Sequence, residues 1–276
     1  MKFVLLTTTV WSNNSQKLLD RLTNTIAEHG VGVSCLHLIL LQNWTSETTP
    51  TLPQSEHYTI EFLKSKDIIS LSKARNIMLA ESSQRDLIQD DDILAFPDDD
   101  CWYPNKVLED VQDLFKQNAA VDFMFCRYRE AKQEVFSQAM VQSQPLAKDL
   151  VRNASSNTIF LKGNLARKAG TFDETLGVGT PNNGGEDLDY AAKAFIAANK
   201  SLFVPMYLIG HRDKDNSLRG KYFRGSAIVL ARYKFNSFGF LCEYLRKLMI
   251  GLILVFKQEM PLQELTFATK KLLPKF

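Results

Sequence analysis

Apolar and polar positions along this chain follow two periods, one suited to buried strands and the other to helices with one apolar face. Lys2 to Thr8 is a nearly unbroken apolar run that ends in threonines, as expected of a strand covered on both sides. Leu18, Leu19, Leu22 and Ile26 then recur at helical spacing, with Ser15 as the candidate cap and Gly30 as the stop. Val33 to Leu41 predicts a second strand, the Thr/Ser/Pro-rich run from Thr45 to Ser55 a loop, and Tyr58 to Leu63 a short third strand. A helix is predicted from Ser72 to Glu81, with Leu71, Ala74, Ile77 and Met78 turned inward; a strand follows from Ile93 to Phe96, and a further helix begins at Asn105. This alternation predicts an α/β fold, a mostly parallel sheet with helices on both faces, in which ligands gather at the C-terminal ends of the strands.

The second half changes character. Phe123 to Tyr128 and Asn157 to Leu161 read as strands, separated by a polar stretch from Arg129 to Ala154 with no assignable period. After a short helix from Leu165 to Ala169, five glycines between Gly170 and Gly185 let the backbone bend close to a ligand. Glu186 to Asn199 predicts a helix whose acidic first turn suits the helix dipole, and Ser201 to Pro205 a strand leading to His211. Beyond Gly225 the pattern is different again: Phe235, Phe238, Phe240, Leu241, Tyr244, Leu245, Leu248 and Met249 form a broad apolar face, and Leu248 to Phe256 is apolar apart from Gly251. Crossing a bilayer takes about 20 such residues, so this segment is expected to lie in a membrane surface or to pack on protein.

At 276 residues, 45% hydrophobic and 23% charged, the chain has room for one large domain plus an appendage. The division is placed between residues 1–224 and a basic amphipathic segment, 225–276. From Arg212 onward, thirteen Lys/Arg stand against five Asp/Glu, a net +8 within a chain whose total is only +2. Such a tail suits anionic lipid, and no nucleic-acid partner is expected. The opening Met-Lys-Phe-Val-Leu-Leu is too short an apolar run for a secretory signal, which predicts a cytoplasmic chain, peripheral to the inner face of the plasma membrane. Cys35, Cys101, Cys126 and Cys242 form no C-x-x-C pair and read as buried or incidental thiols.

The chemistry concentrates at Asp98, Asp99 and Asp100, three adjacent carboxylates that repel one another unless something positive lies among them. Hard oxygen ligands of this kind suit Mg²⁺ or Mn²⁺, above all when the ion also holds phosphate oxygens; the plain alternative is a solvated acidic turn. Glu186, Asp187 and Asp189 share a helix start, where dipole and free amides keep carboxylates ionised, as a general base must be.

An Asp triplet followed by aromatic-Pro, an upstream Ala-Arg-Asn helix, a downstream Gly-Gly-Glu-Asp-Leu-Asp helix start and a later His together resemble an inverting family 2 glycosyltransferase of GT-A fold, over roughly Lys2 to Asp215. The Gly-Gly-Glu-Asp and His-x-x-Asp-Lys pieces are also similar to the β-1,4-galactosyltransferases, and the triplet with a distant His to bacterial galactofuranosyltransferases. The resemblance implies that Asp98 and Asp100, with a neutral His211, hold a Mn²⁺ or Mg²⁺ ion, and that Asp99 faces sugar or ribose. It makes Asp187 the base and Glu186 the group that orients the acceptor, with Asp189 supporting the loop. The resemblance also places Arg75 and Asn76 near the nucleotide; topology alone puts Thr7, Thr8 and Asn43, at the ends of the first two strands, beside its base, and Lys214 with Arg219, just beyond His211, would cover the diphosphate as part of a lid. The implied activity moves a sugar from a nucleotide-diphosphate donor, UDP-linked and of UDP-galactose type, to a glycan or lipid-linked glycan hydroxyl with inversion, in bacterial surface polysaccharide assembly. The rivals are a catalytically silent nucleotide-sugar-binding module and a sugar nucleotidyltransferase; against the second, Thr7 to Ser15 contains no glycine for a phosphate loop.

Overall fold

The computed structural model describes residues 1–30, 32–129, 142–212 and 216–270. Seven strands, β1 (Phe3–Val10), β2 (Cys35–Gln42), β3 (Tyr58–Lys64), β4 (Ile93–Ala95), β5 (Phe123–Arg129), β6 (Ile159–Lys162) and β7 (Ser201–Gly210), form one sheet of order β3-β2-β1-β4-β6-β5-β7. β6 runs antiparallel to both its neighbours, and the other pairings are parallel. Along β1 and β2, alternate side chains serve opposite faces, the arrangement that makes a doubly covered strand apolar throughout. Phe3, Leu5, Ile39 and Leu41 pack with Leu19, Leu22 and Ile26 of α1 (Asn13–His29) and with Val111 and Phe115 of α3 (Val107–Gln117). Val4, Leu6, Leu38 and Leu40 face the other way, onto Ala74 and Met78 of α2 (Leu71–Gln84), Leu165 of α5 (Gly163–Ala169) and Tyr190 of α6 (Glu186–Ala197).

Three local expectations are corrected. Helix α1 starts earlier than the proposed cap: Ser12 is the N-cap, and Ser15 closes a reciprocal box by accepting from the Ser12 amide at 2.8 Å. On α2, Ile77 is 40% exposed, and the buried position beside it belongs to Arg75, a charge that a hydrophobic pattern assigns to solvent. Strand β7 continues five residues past Pro205 to Gly210. Pro205 is tolerated because β7 lies at the sheet edge, and the register against β5 shifts between Phe125 and Arg127, where a ladder bond would otherwise be missing. In the polar stretch after β5, residues 130–141 lie outside the described residues, Ser143 bridges to Phe203, and α4 (Ala147–Asn153) follows.

Three further helices, α7 (Phe223–Tyr233), α8 (Phe238–Phe256) and α9 (Leu262–Lys270), make up the tail. Val229, Leu230, Phe240 and Tyr244 join the second sheet-covering cluster, while Phe223, Ala227, Leu254, Met260, Leu265 and Ala268 form a small core among the three helices. Arg224 reaches Glu264 with both arms at 2.7 Å, tying α7 to α9. Among the described residues, no helix is long and apolar enough to cross a membrane.

Candidate active site

β4 ends at Ala95, and the chain turns at Asp98–Cys101, closed by the Cys101 amide donating to the Asp98 carbonyl at 3.1 Å. A second tie joins this turn to the far edge of the sheet. Trp102 and Gly210 exchange both backbone hydrogen bonds, at 3.1 and 2.9 Å, so that the residue after β7, His211, arrives over the aspartates. Its Nε2 lies 3.2 Å from Asp100 Oδ1 and 3.8 Å from Asp98 Oδ2, and its ring packs edge-on against Tyr128.

Asp98, Asp100, Cys101 and His211 each present a ligand atom within 4.8 Å of the others. Two carboxylates and an imidazole match the donor set of a Mn²⁺ site, and a cation there would offset the crowding of negative charge. That crowding shows in the titration of the groups. Desolvation lifts Asp98 to about 6, with Asp187 and Asp100 adding to the shift against Arg75 and His211. Asp99 is raised too, by burial, although Thr9 donates a hydrogen bond to it. Asp100 goes the other way: burial is outweighed by His211 and by Arg212, whose Nε lies 3.0 Å from it, and its carboxyl is held low. For His211, burial disfavours the charged ring, yet its bond to Asp100 prevails and raises its basicity.

Arg75 joins the cation cluster to the helix of the second acidic motif. Its side chain is 2% exposed, with Nη2 3.0 Å from Asp98 and Nη1 2.6 Å from Asp187, and its plane lies over the Phe172 ring. Removing one partner from a buried pair of this kind costs about 3–5 kcal/mol, so the guanidinium is held strongly where it is. Asp187 opens the first turn of α6 and is a quarter exposed, whereas Glu186 beside it is buried. Burial, with Asp187 adjacent, raises the Glu186 carboxyl to about 7. Gly185 caps this helix at φ 88°, and a Cβ there would lie 2.5 Å from the Gly225 backbone, so only glycine lets α7 close over the acidic turn. Asp189 turns away from the cleft to ion-pair with Arg232 of α7 and Lys193.

Of the remaining expected site residues, Thr7 reaches the turn just before Asp98, while among the described residues Thr8, Asn43 and Asn76 make no hydrogen bond to the three aspartates. Thr7 is fully buried and donates to the Pro97 carbonyl at 2.8 Å. Thr8 accepts from Gln42 at 2.8 Å, and Asn43 is exposed in the left-handed region at φ 57°. Asn76 spends its amide on Phe172 and Glu174, bracing the start of the glycine-rich loop. Lys214 lies outside the described residues, and Arg219 is exposed on a short 3-10 turn, Asn216–Arg219. The sequence reading missed Thr9, Arg212 and Cys101. Only Cys101 carries a signal, its place directly after the triplet; it reads in sequence as a buried or incidental thiol, and it is buried.

The strand order, with β6 reversed among otherwise parallel neighbours, makes an α/β mixed sheet whose fold matches that of GT-A glycosyltransferase structures. Solved structures share it. S. aureus TarS 1-349 in complex with UDP-GlcNAc matches with a TM-score of 0.64 at 15% identity, over 90% of this chain and 72% of that one. S. aureus TarS in a longer form matches at 0.62 and 15% identity, over 90% of this chain but only 43% of that one. Mannosyltransferase PcManGT from Pyrobaculum calidifontis, in complex with GDP-Man and Mn²⁺, matches at 0.51 and 14% identity, over 89% of this chain and 64% of that one. In sequence, neither a family model nor a curated protein matches the chain.

Proposed function

We propose that this chain is an inverting, divalent-metal-dependent glycosyltransferase that moves a sugar from a nucleotide-diphosphate donor, UDP-linked, to an acceptor hydroxyl. The observation that carries the proposal is the Arg75 bridge: one buried guanidinium holds Asp98, at the cation cluster, and Asp187, at a helix start, in a single cleft. A donor diphosphate and an acceptor hydroxyl need two such stations, and two of the structural neighbours are complexes with UDP-GlcNAc and with GDP-Man plus Mn²⁺. Asp98, Asp100 and His211 are the residues that would hold the ion, which supplies Lewis-acid neutralisation of the leaving diphosphate. Asp187, partly exposed and kept in place by Arg75, takes the acceptor proton as that oxygen attacks the anomeric carbon. Glu186, whose carboxyl burial raises to about 7, orients the acceptor by hydrogen bonding. The outer face of the tail supports a lipid-linked glycan acceptor.

The test is a thermal-shift series of nucleotide sugars with and without Mn²⁺, followed by turnover of the donor that binds. At 100 times its dissociation constant a donor adds about 2.7 kcal/mol to the folded state, a readily visible shift. Asp100→Ala and His211→Ala should each remove the Mn²⁺-dependent part of that shift. Asp187→Asn should keep donor binding and lose about 10²-fold or more in turnover. Equal donor affinity with and without Mn²⁺ would overturn the metal assignment, and binding without any transfer or hydrolysis would leave a silent binding module.

A further inference from the structure

The fully buried imidazole of His37, in the middle of β2, has no part in the chemistry above, yet its hydrogen bonds lead straight to the aspartate turn. Its Nε2 lies 2.8 Å from Thr7 Oγ1 on β1, and its Nδ1 lies 2.7 Å from the Tyr58 hydroxyl on β3. Thr7 in turn contacts the carbonyl of Pro97, the residue immediately before Asp98, at 2.8 Å. The directions of these bonds follow from elementary chemistry. A carbonyl only accepts, so the single Thr7 hydroxyl proton points at Pro97. Thr7 must then accept from His37, which places the ring proton on Nε2. Nδ1 is left as an acceptor, and Tyr58 must donate to it. Burial keeps the ring neutral, lowering its pKa to about 3, so one tautomer satisfies the whole chain and the other breaks it.

We infer that Tyr58, His37 and Thr7 form a positioning relay that crosses three adjacent strands and fixes the Pro97 carbonyl, and with it the carboxylates of Asp98 and Asp100. Hydrogen-bonded supports of this sort set the aim of metal ligands, and losing one costs about 10–100-fold in metal affinity. The inference rests on the metal reading above for its consequence, but not for its geometry. Tyr58→Phe perturbs the relay from its far end. With a phenyl ring opposite Nδ1 the proton stays on Nε2, because the other tautomer would strand a buried N–H and compete with Pro97 for the Thr7 hydroxyl; the imidazole instead loses its anchor on β3, although no atom near the aspartates has been changed.

The experiment compares wild type with Thr7→Val, Thr7→Ser and Tyr58→Phe by three readouts. These are amide hydrogen exchange over residues 98–103, ring ¹⁵N shifts of His37, and Mn²⁺ affinity from the electron paramagnetic resonance signal of the free ion. Thr7→Val should speed exchange in that turn above any change elsewhere and weaken Mn²⁺ by about tenfold or more, and Thr7→Ser should restore both. Tyr58→Phe should leave the ring proton on Nε2, shift the Nδ1 resonance as that nitrogen loses its donor, and loosen the same turn. In Thr7→Val, unchanged exchange there, a uniform rise across the chain, or unaltered Mn²⁺ affinity where the wild type binds the ion each overturns the relay. A wild type that ignores Mn²⁺ while the turn still loosens in Thr7→Val removes the metal reading and leaves the relay standing.

Discussion

Glu186 is buried, whereas its neighbour Asp187 is a quarter exposed and paired with Arg75, and those surroundings decide what each can do. Desolvation, reinforced by Asp187, raises the Glu186 carboxyl from an ordinary 4.5 to about 7, although Arg75 opposes the shift. A carboxyl raised in the fold binds its proton more tightly there than in the unfolded chain. Its ionisation therefore costs stability that accumulates as pH rises from 4.5 to about 7 and is complete above that window. Glu186→Gln removes the ionisable group, so the melting temperature of the variant should gain on wild type across this window and hold a constant offset outside it. Melting curves at pH 4, 6 and 8 check this; a difference that does not vary with pH would mean that Glu186 does not titrate in the fold. The same logic separates the aspartates: Asp98 is pushed up by its surroundings, and Asp100 is held down by His211 and Arg212.

At the scale of elements, the site depends on how β7 ends. A strand that stopped at Pro205 would leave His211 far from the triplet; the continued strand, bridged at Gly210 to Trp102, brings it across. Gly210 is needed there for space rather than for backbone freedom, since a Cβ would lie 1.9 Å from the Trp102 indole. That indole is itself held, with the Arg21 guanidinium 4.2 Å from its centroid and Arg21 Nη2 donating to the Asp100 carbonyl at 2.5 Å. Gly210→Ala should push Trp102 off Arg21 and cost about 1–3 kcal/mol, the usual penalty of overpacking. It should also weaken Mn²⁺-dependent donor binding, because Asp100 and His211 flank the displaced ring. Urea denaturation and the donor thermal shift measure the two effects separately; a stable variant with wild-type donor binding would show that the bridge tolerates rearrangement.

For the whole molecule, the tail is divided along α8. Phe240, Tyr244, Gly251 and Leu254 face inward, and buried Glu243 pairs with Arg152 of α4 and with Arg246. Phe238, Leu245, Met249, Ile253 and Phe256 stand exposed at helical spacing, Phe238 at 81% and Phe256 at 85%. One helix thus packs on the body of the protein and also shows solvent an apolar stripe, in a segment with a net charge of +8 from Arg212 onward. The stripe supports docking on anionic lipid, with each surface Lys or Arg adding about 1 kcal/mol that salt screens. The chain should pellet with vesicles containing phosphatidylserine and be partly released at high salt. Phe238→Ser with Phe256→Ser should abolish the salt-resistant fraction while changing stability by no more than about 0.5 kcal/mol per site, as exposed positions do. Vesicle binding unaffected by the pair would move the contact to another surface.

Much of this molecule was legible in local pattern. Doubly apolar runs such as Phe3 to Leu6 predict covered strands, helical spacing predicts α1, and adjacent carboxylates at Asp98 to Asp100 and at Glu186 to Asp189 mark where charge must be managed, because each signal lies within a few residues of itself. What tertiary structure alone decided is which distant groups meet. Thr9 reaches Asp99 across 90 positions and Arg75 reaches Asp187 across 112, separations at which no periodicity survives. Arg75 is enclosed between two carboxylates, because the fold sets α2 beside the start of α6. His37 reads in sequence as an interruption of an apolar strand. Only the pairing of β2 with β1 and β3 gives it a donor on one side and an acceptor on the other, and so a reason to be buried.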